Sequence, residues 1–324
     1  MIKILNRLLV YSILFISLFY YNNISNFITN KIIQKEPPIV EVTSSYKKED
    51  LVSFVSNVDS FIPYSYQDLL NIIYTTMNNG WTNFTFYCAH QYEECINDAI
   101  KISKDDLLLS HINNFVHPFN GYSNVKLVIA DSGEINIQID YVYDQEMILK
   151  IDSRVDEIIS EIIRDDMKDY DKLKTVHDYI INNAKYDVDK LPNETSEHNS
   201  EIAYGPLFNG LANCSGYSDL AGVFLDKLGF KNFKVSVLAH EMKNSDVGHV
   251  WNVIYYDNKW VHMDITWDDP VDPEGRDRLE HNYFLLTSKE LETLDKTLKE
   301  KHEDSNLLGD EHKFNKYIYF DILN

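Results

Sequence analysis

Residues 249–256 (His-Val-Trp-Asn-Val-Ile-Tyr-Tyr) and 259–267 (Lys-Trp-Val-His-Met-Asp-Ile-Thr-Trp) are rich in β-branched and aromatic side chains, and only Asp257-Asn258 separates them. A two-residue connection of this composition joins antiparallel strands and fixes their register. Pairing Tyr256 with Lys259 sets Trp251 opposite Asp264 and His249 opposite Thr266. His249 and Asp264 then share one face as diagonal neighbours, roughly 7–8 Å apart at the backbone and closer at the side chains. A slip of one residue would send Asp264 to the other face. His262 also lies on that face and is the rival to His249 as a base.

Upstream, residues 213–229 carry helix start and stop signals. Asn213 is placed as N-cap, Tyr217, Leu220, Ala221, Phe224 and Leu228 form an apolar face, and Gly229 is placed to end the helix. Cys214 falls in the first turn, where unpaired N–H groups and the positive end of the helix dipole favour an anion such as a thiolate. The same N–H groups could hold an oxyanion. A thiol nucleophile needs a base and a group that orients the base, and Cys214, His249 and Asp264 supply that set. A lone cysteine is otherwise an ordinary core residue; three motifs in order, each on the element its chemistry needs, argue for the catalytic assignment.

These residues resemble a known family. Asn-Cys-Ser-Gly-Tyr opening a helix, Gly-His-Val-Trp-Asn, and Trp-Val-His-Met-Asp-Ile-Thr-Trp-Asp-Asp-Pro are similar to motifs of the transglutaminase-like superfamily, specifically its bacterial extracellular members. The likeness spans about residues 170–290 and includes the helix of residues 174–186 that introduces such domains. It implies an α+β fold, a papain-like transglutaminase core in which the helix bearing the cysteine packs on an antiparallel sheet. It also implies Cys214 as nucleophile, His249 as general base and acid, and Asp264 as its orienting carboxylate. Val250 stands where the family commonly has alanine and Ser215 where glutamine is frequent; neither touches the triad. Asn209 is the candidate oxyanion side chain.

The rest of the chain divides into an N-terminal targeting segment, a stem and a further domain. Lys3 and Arg7 precede an apolar stretch over residues 8–21, followed by Asn22, Asn23, Ser25 and Asn26. Residues 1–21 therefore read as a signal peptide or signal anchor. No small-x-small cleavage site follows, which favours the anchor and places the body outside the cell or on its surface. Residues 22–45, with Pro37-Pro38, read as a stem. Residues 46–150 read as a smaller mixed α/β segment of unknown role, an N-terminal α+β domain. It holds a helix over 67–77, a strand over 83–87, and a hairpin with arms 125–129 and 135–139 around Asp131-Ser132-Gly133. Residues 151–324 form the catalytic domain, opening on helical periodicity over 152–184 in which His177 is a packed core residue rather than a ligand.

Composition narrows the partners. A formal net charge of -21, with no cluster of Lys and Arg, excludes nucleic acid and favours cationic substrates without naming one. Hydrophobic residues at 44% and charged residues at 25% fit a soluble globular body, so membrane contact is confined to the N-terminal segment. Three cysteines in an exported chain leave at least one unpaired. Cys88 and Cys95 form either a short-loop disulfide or two buried thiols, and Cys214 stands alone. The histidines show no zinc-type spacing, so neither metal nor cofactor is expected. Trp251 and Trp267 read as core residues, and Asp268-Asp269-Pro270 as a solvated loop. The expected substrate is a protein or peptide, with cell-envelope components among the candidates. The competing function is an inactive surface-binding module on the same fold.

Overall fold

The computed structural model describes residues 42–188, 198–237, 248–271, 278–301, 312–315 and 318–319. The expected targeting segment and most of the expected stem lie outside them. The stem's last residues dock on the body: Val42 bridges Trp81, and the Thr43 N–H donates to the Gly80 carbonyl (3.0 Å).

The N-terminal elements follow their local signals. Helix α1 (Tyr66–Asn78) starts on Ser65, whose hydroxyl accepts from the Asp68 N–H, and it buries Leu69, Leu70, Ile72, Ile73 and Met77. Strand β1 (Asn83–Tyr87) is joined to helix α2 (Cys95–Ile102) by a Cys88–Cys95 disulfide, Cα–Cα 5.9 Å; helix α3 (Asp106–Asn113) follows. The expected hairpin is formed by β2 (Tyr122–Ile129) and β3 (Glu134–Tyr141), with Ile129 opposite Ile135 and Gly133 at φ +87°. These strands make a three-stranded antiparallel sheet, order β1-β3-β2.

The helical stretch expected over 152–184 is two helices. Helix α4 (Gln145–Ile162) is capped by Asp144 and buries Ile148, Ile151, Val155 and Ile158. Helix α5 (Asp169–Asn183) buries Leu173, Val176, His177, Ile180 and Ile181. The apolar stripe lapses at Arg164-Asp165-Asp166, where continuing the helix would bury nothing. A two-residue parallel pair, β4 (Lys185–Tyr186) with β5 (Leu211–Ala212), leads into α6 (Cys214–Lys227).

Helix α6 is the centre of the C-terminal half, and every residue from Gly216 to Leu225 is buried. It ends as expected, with Gly229 at φ +79° and the Phe230 N–H returning to the Leu225 carbonyl (2.9 Å). It packs on a four-stranded antiparallel sheet, order β6-β7-β8-β9: β6 (Asn232–Val237), β7 (His249–Tyr256), β8 (Lys259–Met263) and β9 (Phe284–Leu286). A single helical turn, α7 (Ile265–Asp268), follows β8, and α8 (Ser288–Lys301) follows β9.

The sheet has apolar residues on both faces. Ile254, Val261, Met263 and Phe284 share a core with α4, α5 and α6. On the other face Phe233, Val235, Val237, Trp251 and Val253 share one with α1, β1 and β3. One apolar core thus runs across residue 150, joining residues of 46–150 to this face of the sheet. Each fully buried large side chain at that seam stabilises by about 1.5–3 kcal/mol. Lys48 crosses it too: its buried Nζ donates to the Asn232 carbonyl and side chain (both 2.8 Å) and pairs with Asp226 (3.2 Å).

Candidate active site

The hairpin that carries two of the three expected site residues has the expected register. Tyr256 pairs with Lys259 and Val253 with His262, and Asp257 and Asn258 adopt φ +50° and +61°, the left-handed pair that a tight hairpin turn requires. Pairing stops at Asn252–Met263, so the expected His249–Thr266 opposition does not form. Asp264 leaves the strand and caps α7, one carboxylate oxygen accepting from the Trp267 N–H (3.3 Å).

Two polar contacts bring the Cys214 helix to this hairpin. The Ser218 hydroxyl lies between the carbonyls of Cys214 (2.7 Å) and Val250 (3.0 Å), and the Asn252 side chain donates to the Ser218 carbonyl (3.0 Å). At the helix start the Asn213 side chain accepts from the N–H groups of Ser215 (2.9 Å) and Gly216 (3.2 Å). The Cys214 N–H is the first-turn donor that this cap does not use. A Cβ on Gly216 would sit 2.2 Å from the Ser200 carbonyl oxygen, so only glycine lets the preceding segment cross the first turn this closely.

Cys214 is half-buried and its thiol is free. It interacts with the His249 imidazole, whose Nε2 is engaged 2.5 Å from Asp264 Oδ2, so that Nδ1 is the ring nitrogen left for the sulfur. The ring stacks on Trp251 (centroids 5.5 Å) and meets the edge of Trp267 (6.5 Å). Burial alone would strip the His249 proton, but the Asp264 carboxylate, with Cys214 adding to it, pushes the imidazole up to about 10. Burial would likewise raise Asp264, yet His249 and a second histidine hold it well below the usual carboxylate range. A thiol facing such a ring can pass its proton to it and attack as thiolate.

His262 is not the rival base. Its Nδ1 accepts from the Trp251 indole N–H (2.9 Å), so its Nε2 carries the proton and donates to the Ser288 hydroxyl (3.0 Å). Burial, aided by the neighbouring cation at His312, pushes it down to about 3. Asn209 is exposed and its amide donates to the His198 carbonyl (2.7 Å).

The second histidine on Asp264 is one that sequence reasoning passed over. His312 Nε2 lies 2.9 Å from Asp264 Oδ2, and its Nδ1 lies 3.1 Å from Asp295 Oδ1 on α8. No local pattern around residue 312 marks this role.

The acidic pair at the end of α7 also departs from expectation, since Asp268 and Asp269 are buried rather than solvated. Asp268 receives His177 Nε2 (3.1 Å) and the Tyr283 N–H (2.9 Å); Asp269 receives the Tyr217 hydroxyl (2.5 Å) and pairs with Lys185 (3.5 Å). The turn that holds Asp264 is thereby tied to α5 and, through Tyr217, to the Cys214 helix. His177 is fully buried, as expected, and bridges Asp178 (3.1 Å) and Asp268; both carboxylates keep its pKa raised against the effect of burial.

Among the described residues two groups bring three possible metal-ligand atoms within 4.8 Å of one another: His249, Asp264 and His312, and His177, Asp178 and His281. In each the central carboxylate oxygen is already shared between both imidazoles, so a cation would have to displace those bonds.

A crystal structure of a TGase is 17% identical with a TM-score of 0.34, covering 48% of this chain and 47% of that one. The structure of a candidate cysteine protease from Cytophaga hutchinsonii is 13% identical with a TM-score of 0.29, covering 48% of this chain and 65% of that one. The match thus spans about half of the first and under two thirds of the second. No curated protein matches. A family model does match: that of the transglutaminase-like superfamily, over residues 156–265, the segment that holds Cys214, His249 and Asp264.

Proposed function

We propose that this chain is an exported cysteine-dependent acyl-transfer enzyme acting on amide bonds. The observation that carries the reading is the line Cys214–His249–Asp264: a free thiol at a helix start, facing an imidazole whose other nitrogen is held by a buried carboxylate. In the first step the Cys214 proton passes to His249 Nδ1 and the sulfur attacks the amide carbonyl carbon. The Cys214 N–H meets the oxygen that becomes negative. The C–N bond then breaks, the departing amine takes the proton from His249, and a thioester to Cys214 remains. Water, deprotonated by His249, attacks the thioester, releases the acid and returns the proton to sulfur; an amine in place of water gives a cross-link. Hydrolysis is the favoured outcome because nothing in the sequence marks a second-substrate site and water is always present, so a peptidase or amidase is the leading assignment.

The expected substrate is a protein or peptide, with the cell envelope as its setting. The Cys88–Cys95 disulfide supports export, since such bridges persist in oxidising compartments. Among the described residues no helix is long and apolar enough to cross a membrane; the proposed anchor is the apolar stretch within residues 1–21.

The test is iodoacetamide labelling across pH in the full chain, wild type against His249→Ala. With Cys88 and Cys95 joined, the label reports Cys214 alone. Fast labelling that persists well below pH 8 and collapses in the variant is expected. Slow labelling that the variant leaves unchanged would sink the enzyme and leave a surface-binding module.

A further inference from the structure

His312 sits where the triad reading has no use for it. Its side chain is 2% exposed, and it is packed flat on Tyr283 (centroids 5.1 Å) with its edge to Trp251 (4.9 Å). Both ring nitrogens face carboxylate oxygens, Nε2 to Asp264 and Nδ1 to Asp295. Ionised carboxylates only accept, and a neutral imidazole carries one N–H, so satisfying both contacts requires the imidazolium form. A buried cation is thereby placed on the far side of the carboxylate that orients His249.

We propose that His312 is a positioning residue for the Cys214–His249–Asp264 site, a fixed cation that aims Asp264 at His249 and moderates how strongly Asp264 holds the His249 proton, with Asp295 as its own anchor. The proposal rests on the triad reading. Three features of the geometry support it. First, one oxygen, Asp264 Oδ2, receives both His249 (2.5 Å) and His312 (2.9 Å), so the carboxylate cannot turn from one ring without losing the other. Second, the two rings lie 5.5 Å apart at 80°, close enough for like charges to oppose each other through the shared carboxylate. Third, the titratable groups that face His312 are His249 from β7, His262 and Asp264 from β8 and its end, Tyr283 from the approach to β9, and Asp295 from α8. His262, which makes no hydrogen bond to His312, is pushed down partly by that charge, so the cation is felt beyond its own bonds. Burial would strip the proton from His312, and the two carboxylates outweigh it.

Deleting a positive charge raises the pKa of every group that feels it. His312→Gln keeps an N–H for Asp264 but removes the charge. At an effective dielectric near 20 and this separation, both limbs of the Cys214 alkylation profile should move to higher pH by about one to two units. The assay is iodoacetamide labelling of the full chain from pH 4 to 10. His312→Lys, which keeps a cation and a donor, should return the limbs toward wild type. A residue that only props up the fold would lower thermal stability, or the rate at every pH, without moving either limb. Should His312→Gln fail to fold, Asp295→Asn gives the second reading. An asparagine can offer Nδ1 an N–H and so accept a neutral His312, and the limbs should shift upward by less. Wild-type limbs in the variant that folds overturn the proposal while leaving the triad intact. A wild-type protein that labels like an ordinary thiol, indifferent to His249→Ala, overturns the triad and this proposal together.

Discussion

Asp268→Asn tests whether the acidic pair at the end of α7 is structural in the way its burial implies. One carboxylate oxygen accepts from the Tyr283 N–H and the other from His177 Nε2, and the side chain has no exposure. An asparagine keeps an oxygen for Tyr283 but turns an NH2 toward His177. The ring can adapt only by giving up its proton, with Nε2 as acceptor and Nδ1 donating to Asp178. The variant therefore loses a charge-assisted hydrogen bond, about 1.5–3 kcal/mol. For a domain of this size that lowers Tm by about 3–12 °C. The loss must also depend on pH. The pKa of His177 is raised in the folded protein, so its contribution is fully present below the ordinary histidine value and is lost as pH rises through the raised one. Scanning calorimetry of wild type and variant at pH 5.5 and pH 9 should show a wide gap in Tm at the lower pH and a narrow one at the higher. A gap of the same size at both, or none, would refute the assignment of the His177 charge to Asp268.

Asp264→Asn keeps the side-chain shape but removes the charge that holds the His249 proton, so Cys214 alkylation should fall toward that of a free thiol, by roughly 30-fold at pH 7 to 300-fold at pH 6, and climb with pH as a free thiol does; an unchanged profile would show that Asp264 does not act on the ring. Gly216→Ala places a Cβ 2.2 Å from the Ser200 carbonyl oxygen, so the first turn of α6 or the crossing segment must give way, at a cost of about 1–3 kcal/mol in urea unfolding. A variant as stable as wild type would mean that the two backbones are not in contact there.

What could be read from residues alone was whatever depends on near neighbours in sequence. Asp257-Asn258 fixed the β7–β8 register, and with it the face shared by His249 and Asp264, because a two-residue turn admits few geometries. Asn213 and Gly229 bounded the Cys214 helix for the same reason. Asp268, His262 and His312 were misread or missed because their partners are distant in sequence: His177 for Asp268, Ser288 for His262, Asp264 and Asp295 for His312. An aspartate beside a proline looks like a surface loop until a buried donor is known to face it. That residues 46–150 share a core with β6 and β7 was hidden for the same reason, since alternation along those strands does not say what covers each face.

That shared seam bears on how such a chain could be cut or recombined. Residues 156–265 hold Cys214, His249 and Asp264, the proposed nucleophile, base and orienting carboxylate, and would be the natural fragment to graft or express. Freed of the first half of the chain, the same fragment would bare Phe233, Val235, Val237, Trp251 and Val253 along adjacent strands. A contiguous apolar sheet face of that kind invites self-association. The smallest unit that carries the proposed site and the smallest unit that stays in solution are therefore different lengths of the same chain, and trimming toward the first should yield aggregate before it yields a minimal fragment.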